Sequence, residues 1–177
     1  MAEITNRKKK KKDTKKYIGR KFGAIHRSRE LAVQFLYSLD VCPEQNFDES
    51  LELFMNLDDI TKDDTPEVKE RCRKLVLDVW TRKNEIDGVL LRLVTGWRPE
   101  RMVSVDRTIL RLMVLEGFIA KTLPVHSAIS EAASLARDFG TKDSSRFVNG
   151  VMHKIAEHFT EENEQEQEKE EEIKSPS

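Results

Sequence analysis

Between Val105 and Ile119, nine apolar side chains fall on nearly every side of a helix: Val105, Ile109, Leu110, Leu112, Met113, Val114, Leu115, Phe118 and Ile119. A helix with so little polar surface is stable only when other elements cover it, so the chain must fold around this segment. The covering elements read as amphipathic helices. Val148, Val151, Met152, Ile155 and Phe159 recur at i, i+3, i+4, i+7 and i+11, and Ala32, Phe35, Leu36 and Leu39 form a similar stripe. No segment alternates with period two between turn signals, so no strand is expected.

Punctuation divides the pattern into seven helices. The first covers about 27–41 and stops before Pro43. The second, about 48–57, offers Leu51, Phe54 and Met55 to a core. An acidic loop at 58–65 follows, and Pro66 opens a third helix over about 66–84. A fourth covers about 86–95, stopped by Gly96 and the rigid corner Trp97-Arg98-Pro99. The fifth is the apolar helix, about 104–120. The sixth runs from Pro124 to a Gly140 cap, and the seventh from Asp143 or Ser144 to about Phe159, with Asp143 as N-cap. The expected fold class is all-α, a seven-helix bundle over residues 26–159. Residues 1–25 and 160–177 lack apolar periodicity and are expected to be disordered tails.

Those ends carry opposite charge. Residues 1–29 hold twelve Lys or Arg against Glu3 and Asp13, a balance of +10, while residues 157–177 hold nine Glu against Lys169 and Lys174, a balance of −7. The net charge of −1 conceals this polarity. A basic head implies a polyanionic partner. No apolar run of signal-peptide or membrane-spanning length is present, so a cytosolic location without membrane contact is expected.

Catalytic motifs are missing. There is no Gly-rich phosphate loop and no Gly-x-Ser-x-Gly elbow. His26, His126, His153 and His158 are scattered, and Cys42 and Cys72 stand thirty residues apart without a CxxC pair. Neither a metal site nor a cofactor is expected, and the cysteines read as free thiols. Asp58-Asp59 and Asp63-Asp64 read as solvated loop charges rather than a catalytic pair.

An RNA-binding reading has more support, because unstacked RNA is held by cations, aromatic faces and amides. Two helix beginnings carry these groups. The first helix opens His26-Arg27-Ser28-Arg29 and continues through Gln34 and Tyr37. Arg29, Val33 and Tyr37 share one of its faces. The last helix presents Arg146, Phe147 and Asn149 near an N-terminus whose free amides favour phosphate. The competing reading of Tyr37 and Phe147 is that they are core aromatics.

Three blocks of the sequence resemble the NusB family of transcription antitermination factors. The first is Arg29-Glu30-Leu31-Ala32-Val33-Gln34-Phe35-Leu36-Tyr37. The second is Val105-Asp106-Arg107-Thr108-Ile109-Leu110-Arg111-Leu112, followed by Glu116. The third runs from Ile129 through Glu131-Ala132, Leu135-Ala136, Phe139-Gly140 and Asp143-Ser144 to Phe147-Val148-Asn149-Gly150-Val151.

The resemblance implies a seven-helix fold that binds the boxA segment of nascent ribosomal RNA leaders. It also implies a ribosomal-protein partner, NusE, in a non-catalytic complex on RNA polymerase with NusA and NusG. Carried over by position, the RNA surface would use Arg27, Arg29, Gln34 and Tyr37, with Asp143, Ser144, Arg146, Phe147 and Asn149. Asp106 and Glu116 would face the ribosomal protein. The sequence leaves monomer and dimer open; a homodimer of such a bundle could hide the RNA face. Four features depart from the family pattern: the Lys-rich head, the acidic tail, Ser130 where Asn is usual before Glu131-Ala132, and Gly117 where a larger apolar residue is usual, which is expected to loosen the fifth helix. The rival reading is a helical protein-interaction scaffold or ribosomal-protein chaperone with incidental RNA affinity.

Overall fold

The computed structural model describes residues 23–174 apart from Thr95 and Trp97, and side chains as far as Thr160. The described residues form helices and no strand. Helix α1 covers 23–41. It is followed by α2 (Phe47–Met55), α3 (Asp58–Thr61), α4 (Pro66–Thr81), α5 (Lys83–Leu93) and a 3-10 turn at Pro99–Arg101. Then come α6 (Ser104–Val114), extended by a π turn at Leu115–Ile119, α7 (Val125–Phe139) and α8 (Ser144–Lys174). The fold class is all-α, and each of the seven expected helices is present.

The addition is α3, a single turn inside the expected acidic loop. Asp58 and Asp59 stand in its first turn, where carboxylates favour the positive helix end. The Thr61 hydroxyl, fully enclosed, bonds the Met55 carbonyl at 2.9 Å and closes the segment onto α2.

The chain forms two compact units, one ending at Val76 and the other beginning at Leu77. In the first, Phe35 of α1 meets Phe47 edge-on with centroids 5.9 Å apart and packs on Phe54 at 5.4 Å. Such a ring cluster adds about 0.5–1.5 kcal/mol per pair to the apolar burial itself. In the second unit α6 packs against α5, α7 and α8. Every α6 residue from Thr108 to Val114 is buried, as an all-round apolar helix requires. Arg111 on that helix is also buried, and its guanidinium donates twice to Asp87 of α5, both at 2.8 Å.

Gly117 does loosen the fifth helix, in a defined way. The helix widens to a π turn there, and the Ala120 amide donates to the Leu115 carbonyl five residues back at 2.7 Å. A Cβ on Gly117 would lie 2.8 Å from Ala128 Cβ, so the bare backbone lets this turn approach α7.

Two tail expectations meet the structure differently. Residues 1–22 lie outside the described residues, and 23–25 are already helical. At the other end α8 continues to Lys174, where the sequence reading ended it near Phe159 and began a tail. Residues 160–174 lack an apolar stripe, but Glu, Gln and Lys are good helix formers that can extend a helix already nucleated by packing.

Candidate nucleic-acid and partner interface

The beginning of α8 is built by a tight corner. The Gly140 amide ends α7 on the Ala136 carbonyl at 3.0 Å, and the Ser144 amide donates to the Thr141 carbonyl at 3.1 Å. The Ser144 hydroxyl accepts from the Thr141 amide at 2.9 Å and lies 3.1 Å from the Thr141 hydroxyl. Asp143 behaves as a cap residue through its carbonyl, which accepts from the Phe147 amide at 3.0 Å. The Ser145 hydroxyl donates to the Ala133 carbonyl at 2.9 Å, pinning the first turn of α8 to α7.

One side of α8 is enclosed through Val148, Val151, Met152 and Ile155. That anchorage turns the opposite side to solvent. Arg146 and Phe147 are exposed and Asn149 half-buried. Phe147 retains 44% of its surface, so it is not the core aromatic its residue type favours. A cation, a ring face and an amide are displayed within four residues, suited to phosphate, base and base edge respectively.

The α1 residues divide. Tyr37 is 43% exposed, also outside the core, and Gln34 is half-buried with its amide donating to the Glu30 carbonyl at 3.3 Å. The arginines of this helix are committed to the protein. Arg27 donates to both Asp64 oxygens at 2.9 and 3.1 Å, to Glu30 at 3.1 Å and to the Ile60 carbonyl at 2.9 Å. The Asp64 carboxylate first, and then Glu30, raise its pKa above the ordinary arginine value against the opposing effect of burial. Arg29 is only 4% exposed and Val33 1%, so the face they share with Tyr37 turns inward and only its end emerges. The acids and carbonyl of the segment around α3, which periodicity left as a loop, draw Arg27 in.

In the second unit an open cleft of about 570 Å³ adjoins the start of α8. Its wall includes Met102, Val103, Asp106, Ser144 and Phe147, with Arg98 and Arg101 beside them. Asp106 is 4% exposed. Burial pushes its carboxyl pKa above the usual value, opposed by a hydrogen bond from Ser144. Its Oδ1 atom has no hydrogen-bond partner among the described residues. A buried carboxylate oxygen left unpaired at a cavity wall costs about 1–3 kcal/mol and is a ready acceptor for an incoming donor.

The NusB family pattern matches residues 26–157. The chain belongs to the NusB family. It is 38% identical over 135 residues to the transcription antitermination protein NusB of Desulforudis audaxviator, an alignment covering 74% of this chain and 91% of that protein. The solved structure of T. maritima NusB superposes with a TM-score of 0.66 at 26% identity, covering 75% of this chain and 90% of that one. A structure of NusB and NusE in complex with double-stranded RNA shares the fold with a TM-score of 0.64 at 24% identity, covering 76% of this chain and 97% of that one.

Within this NusB-type fold the two residues that the resemblance turned toward a protein partner have separate fates. Asp106 opens on the cleft. Glu116 is 2% exposed, because it lies in the π turn of the central helix, and its carbonyl accepts the Thr122 and Leu123 amides at 2.9 and 3.2 Å. Its carboxylate is therefore not a surface charge. In the sequence Arg98 stands out only as part of a rigid corner and Arg101 not at all, and their place at the cleft has no periodic signal to announce it. Cys42 and Cys72 are free thiols, and burial pushes Cys72 up to about 12. No helix among the described residues is long and apolar enough to cross a membrane.

Proposed function

We propose that this protein is a non-catalytic antitermination adaptor, which binds boxA-type RNA of nascent ribosomal transcripts together with a NusE-type ribosomal protein. It would act in the cytoplasm on RNA polymerase with NusA and NusG. Family membership sets the class, and the start of α8 carries the reading for this chain: Arg146, Phe147 and Asn149 stand on a rigidly anchored helix turn.

In this reading Arg146 pairs with phosphate, Phe147 stacks a base and Asn149 reads a base edge. Gln34 and Tyr37 are the RNA candidates on α1. Arg27 and Arg29 are positioning residues that hold α1 rather than RNA contacts. The Asp106 cleft takes a basic side chain of the ribosomal protein, whose charge complements the unpaired Oδ1. Glu116 takes no part in that contact. The Lys-rich head adds phosphate attraction without sequence choice.

The test is competition binding with the full chain. BoxA-type RNA should outcompete a scrambled RNA of equal length by tenfold or more, and more so with NusE present. Equal affinity for both RNAs, with NusE bound, would instead establish the scaffold or chaperone reading. Light scattering with and without RNA decides whether a homodimer hides the α8 face: RNA would then convert a dimer to monomer.

A further inference from the structure

We infer that the turn joining α5 to α6 is a second phosphate-binding element for RNA, with Arg98 and Arg101 as its contacts. The inference rests on the function proposed above and adds to it two residues and a path for the RNA backbone.

The arginines divide by what they hold. Most are spent on the fold: Arg27 holds Asp64, Arg73 holds Glu52, Arg82 holds Glu85 and Arg111 holds Asp87. Arg29, Arg71, Arg92, Arg107 and Arg137 are engaged as well. Among the described residues, the side chains of Arg98, Arg101 and Arg146 have no such partner. All three are exposed. They also gather at one ring: Arg146 precedes Phe147 in the chain, and Phe147 lines the open cleft together with Arg98 and Arg101. An unpaired guanidinium in solvent fits phosphate, whose oxygens match its fork in a bidentate pair.

The support under Arg98 and Arg101 is rigid. Gly96, at a φ of 76°, lets the chain reverse after α5. Pro99 opens the 3-10 turn, the Arg101 amide donates to the Arg98 carbonyl at 2.9 Å, and the Met102 amide donates to the Pro99 carbonyl at 3.3 Å. The Arg107 guanidinium donates to the same Pro99 carbonyl and to the Ser104 hydroxyl at 3.2 Å, tying the turn to the start of α6. Arg107 thus does for this turn what Ser145 does for α8, and the cations beside it are left to the ligand. Cations held on a fixed turn lose less freedom on binding. Asp106, inside the cleft and 4% exposed, repels phosphate from the interior. A strand with a base stacked on Phe147 therefore runs its backbone along the rim, with Arg146 on one side of that base and the Arg98–Arg101 turn on the other.

The experiment measures the affinity of the full chain for boxA-type RNA by fluorescence anisotropy across about 50–200 mM salt. The double variant Arg98→Gln/Arg101→Gln should lower the slope of log affinity against log salt by about 1.4, since each single-strand phosphate contact contributes about 0.7. Its preference for boxA-type over scrambled RNA should stay within about twofold of wild type, because phosphate contacts carry no sequence choice. Arg98→Lys/Arg101→Lys, which retains the charges, should keep the slope. Lys62→Gln/Lys154→Gln removes two exposed positive charges outside the cleft and should keep it too. A wild-type slope in the arginine-to-glutamine variant overturns the inference, whatever that variant does to NusE affinity. An equal fall in the lysine-to-glutamine variant also overturns it, because net charge then accounts for the effect. Should the double variant melt below the assay temperature, Arg98→Gln and Arg101→Gln replace it singly, each losing about 0.7, and a wild-type slope in both overturns the inference. Wild type that binds boxA-type RNA in preference to scrambled RNA, with a slope that none of these variants moves, overturns the inference alone. Wild type that binds no RNA overturns the adaptor reading, and the inference with it.

Discussion

The beginnings of α1 and α8 carry similar residues and use them in opposite ways. Each has arginine (two in α1, one in α8), an aromatic ring and an amide within about one to three turns. In α1 the arginines face acceptors of their own protein: Arg27 holds Asp64, Glu30 and the Ile60 carbonyl, and Arg29 is enclosed. In α8 the anchoring work falls to Ser144 and Ser145, and Arg146 stays exposed. An arginine at a helix start is therefore a ligand-binding group only when something else secures the helix. Where acids lie in reach of the fork, the same residue becomes part of the fold.

Breaking the comparison is simplest on the α1 side. Arg29→Ala should lower unfolding free energy by about 3–5 kcal/mol, the range for removing one partner from a buried polar cluster, read by urea denaturation. Loss of RNA affinity with stability untouched would return Arg29 to the RNA surface. Arg27→Ala should cost less, about 1–3 kcal/mol, because Asp64 loses its donors at a site still partly open to water. RNA affinity, measured where the variant is folded, should stay within about twofold of wild type, well under the effect of one good contact.

The α8 substitutions should show the reverse pattern. Phe147→Ala should weaken RNA binding by about 1–3 kcal/mol, the range for losing one stacked base. Thermal unfolding should shift little, since the ring is nearly half exposed. Parallel loss of fold and binding would restore the core reading. Arg146→Ala should reduce affinity for all RNA sequences alike and lower the slope of log affinity against log salt by about one.

The smallest effect concerns Asp106. Burial raises its pKa in the folded state above the unfolded value, so its favourable contribution is complete below the unfolded pKa and is lost as pH rises through the folded one. Asp106→Asn removes this loss. The stability difference between variant and wild type should therefore move in the variant's favour as pH is raised through that window, in matched denaturation curves. A flat difference across the window would mean that Asp106 titrates as an exposed acid does.

Much of the fold was legible because its signals are local. The apolar positions of α6 and α8, Pro66 at the start of α4, and Gly140 after α7 each act within a turn or two of chain. The single turn α3 was missed because four residues are too few to show a period. The extension of α8 has no periodic signal, because residues 160–174 carry no apolar stripe by which a helix is read from sequence. In the candidate site, Phe147 and Tyr37 could be named but not placed, since an aromatic residue on a helix looks the same whether it faces a core or a ligand. Arg98, Arg101 and the unpaired oxygen of Asp106 come together only through the turn that joins α5 to α6 and the corner that joins α7 to α8.

Sequence by itself determined which segments are helical, that α6 must be covered on all sides, and which groups able to bind RNA the chain possesses. Those properties follow from neighbours within four residues, and short-range sterics and periodic burial settle them. The tertiary structure decided which of those groups remain available. Arg27 is claimed by an acid 37 residues away, Arg29 and Glu116 are enclosed, and Asp106 keeps one oxygen without a partner. Availability depends on what distant segments bring within hydrogen-bond reach of a charge, and in a helical protein that information is carried by packing.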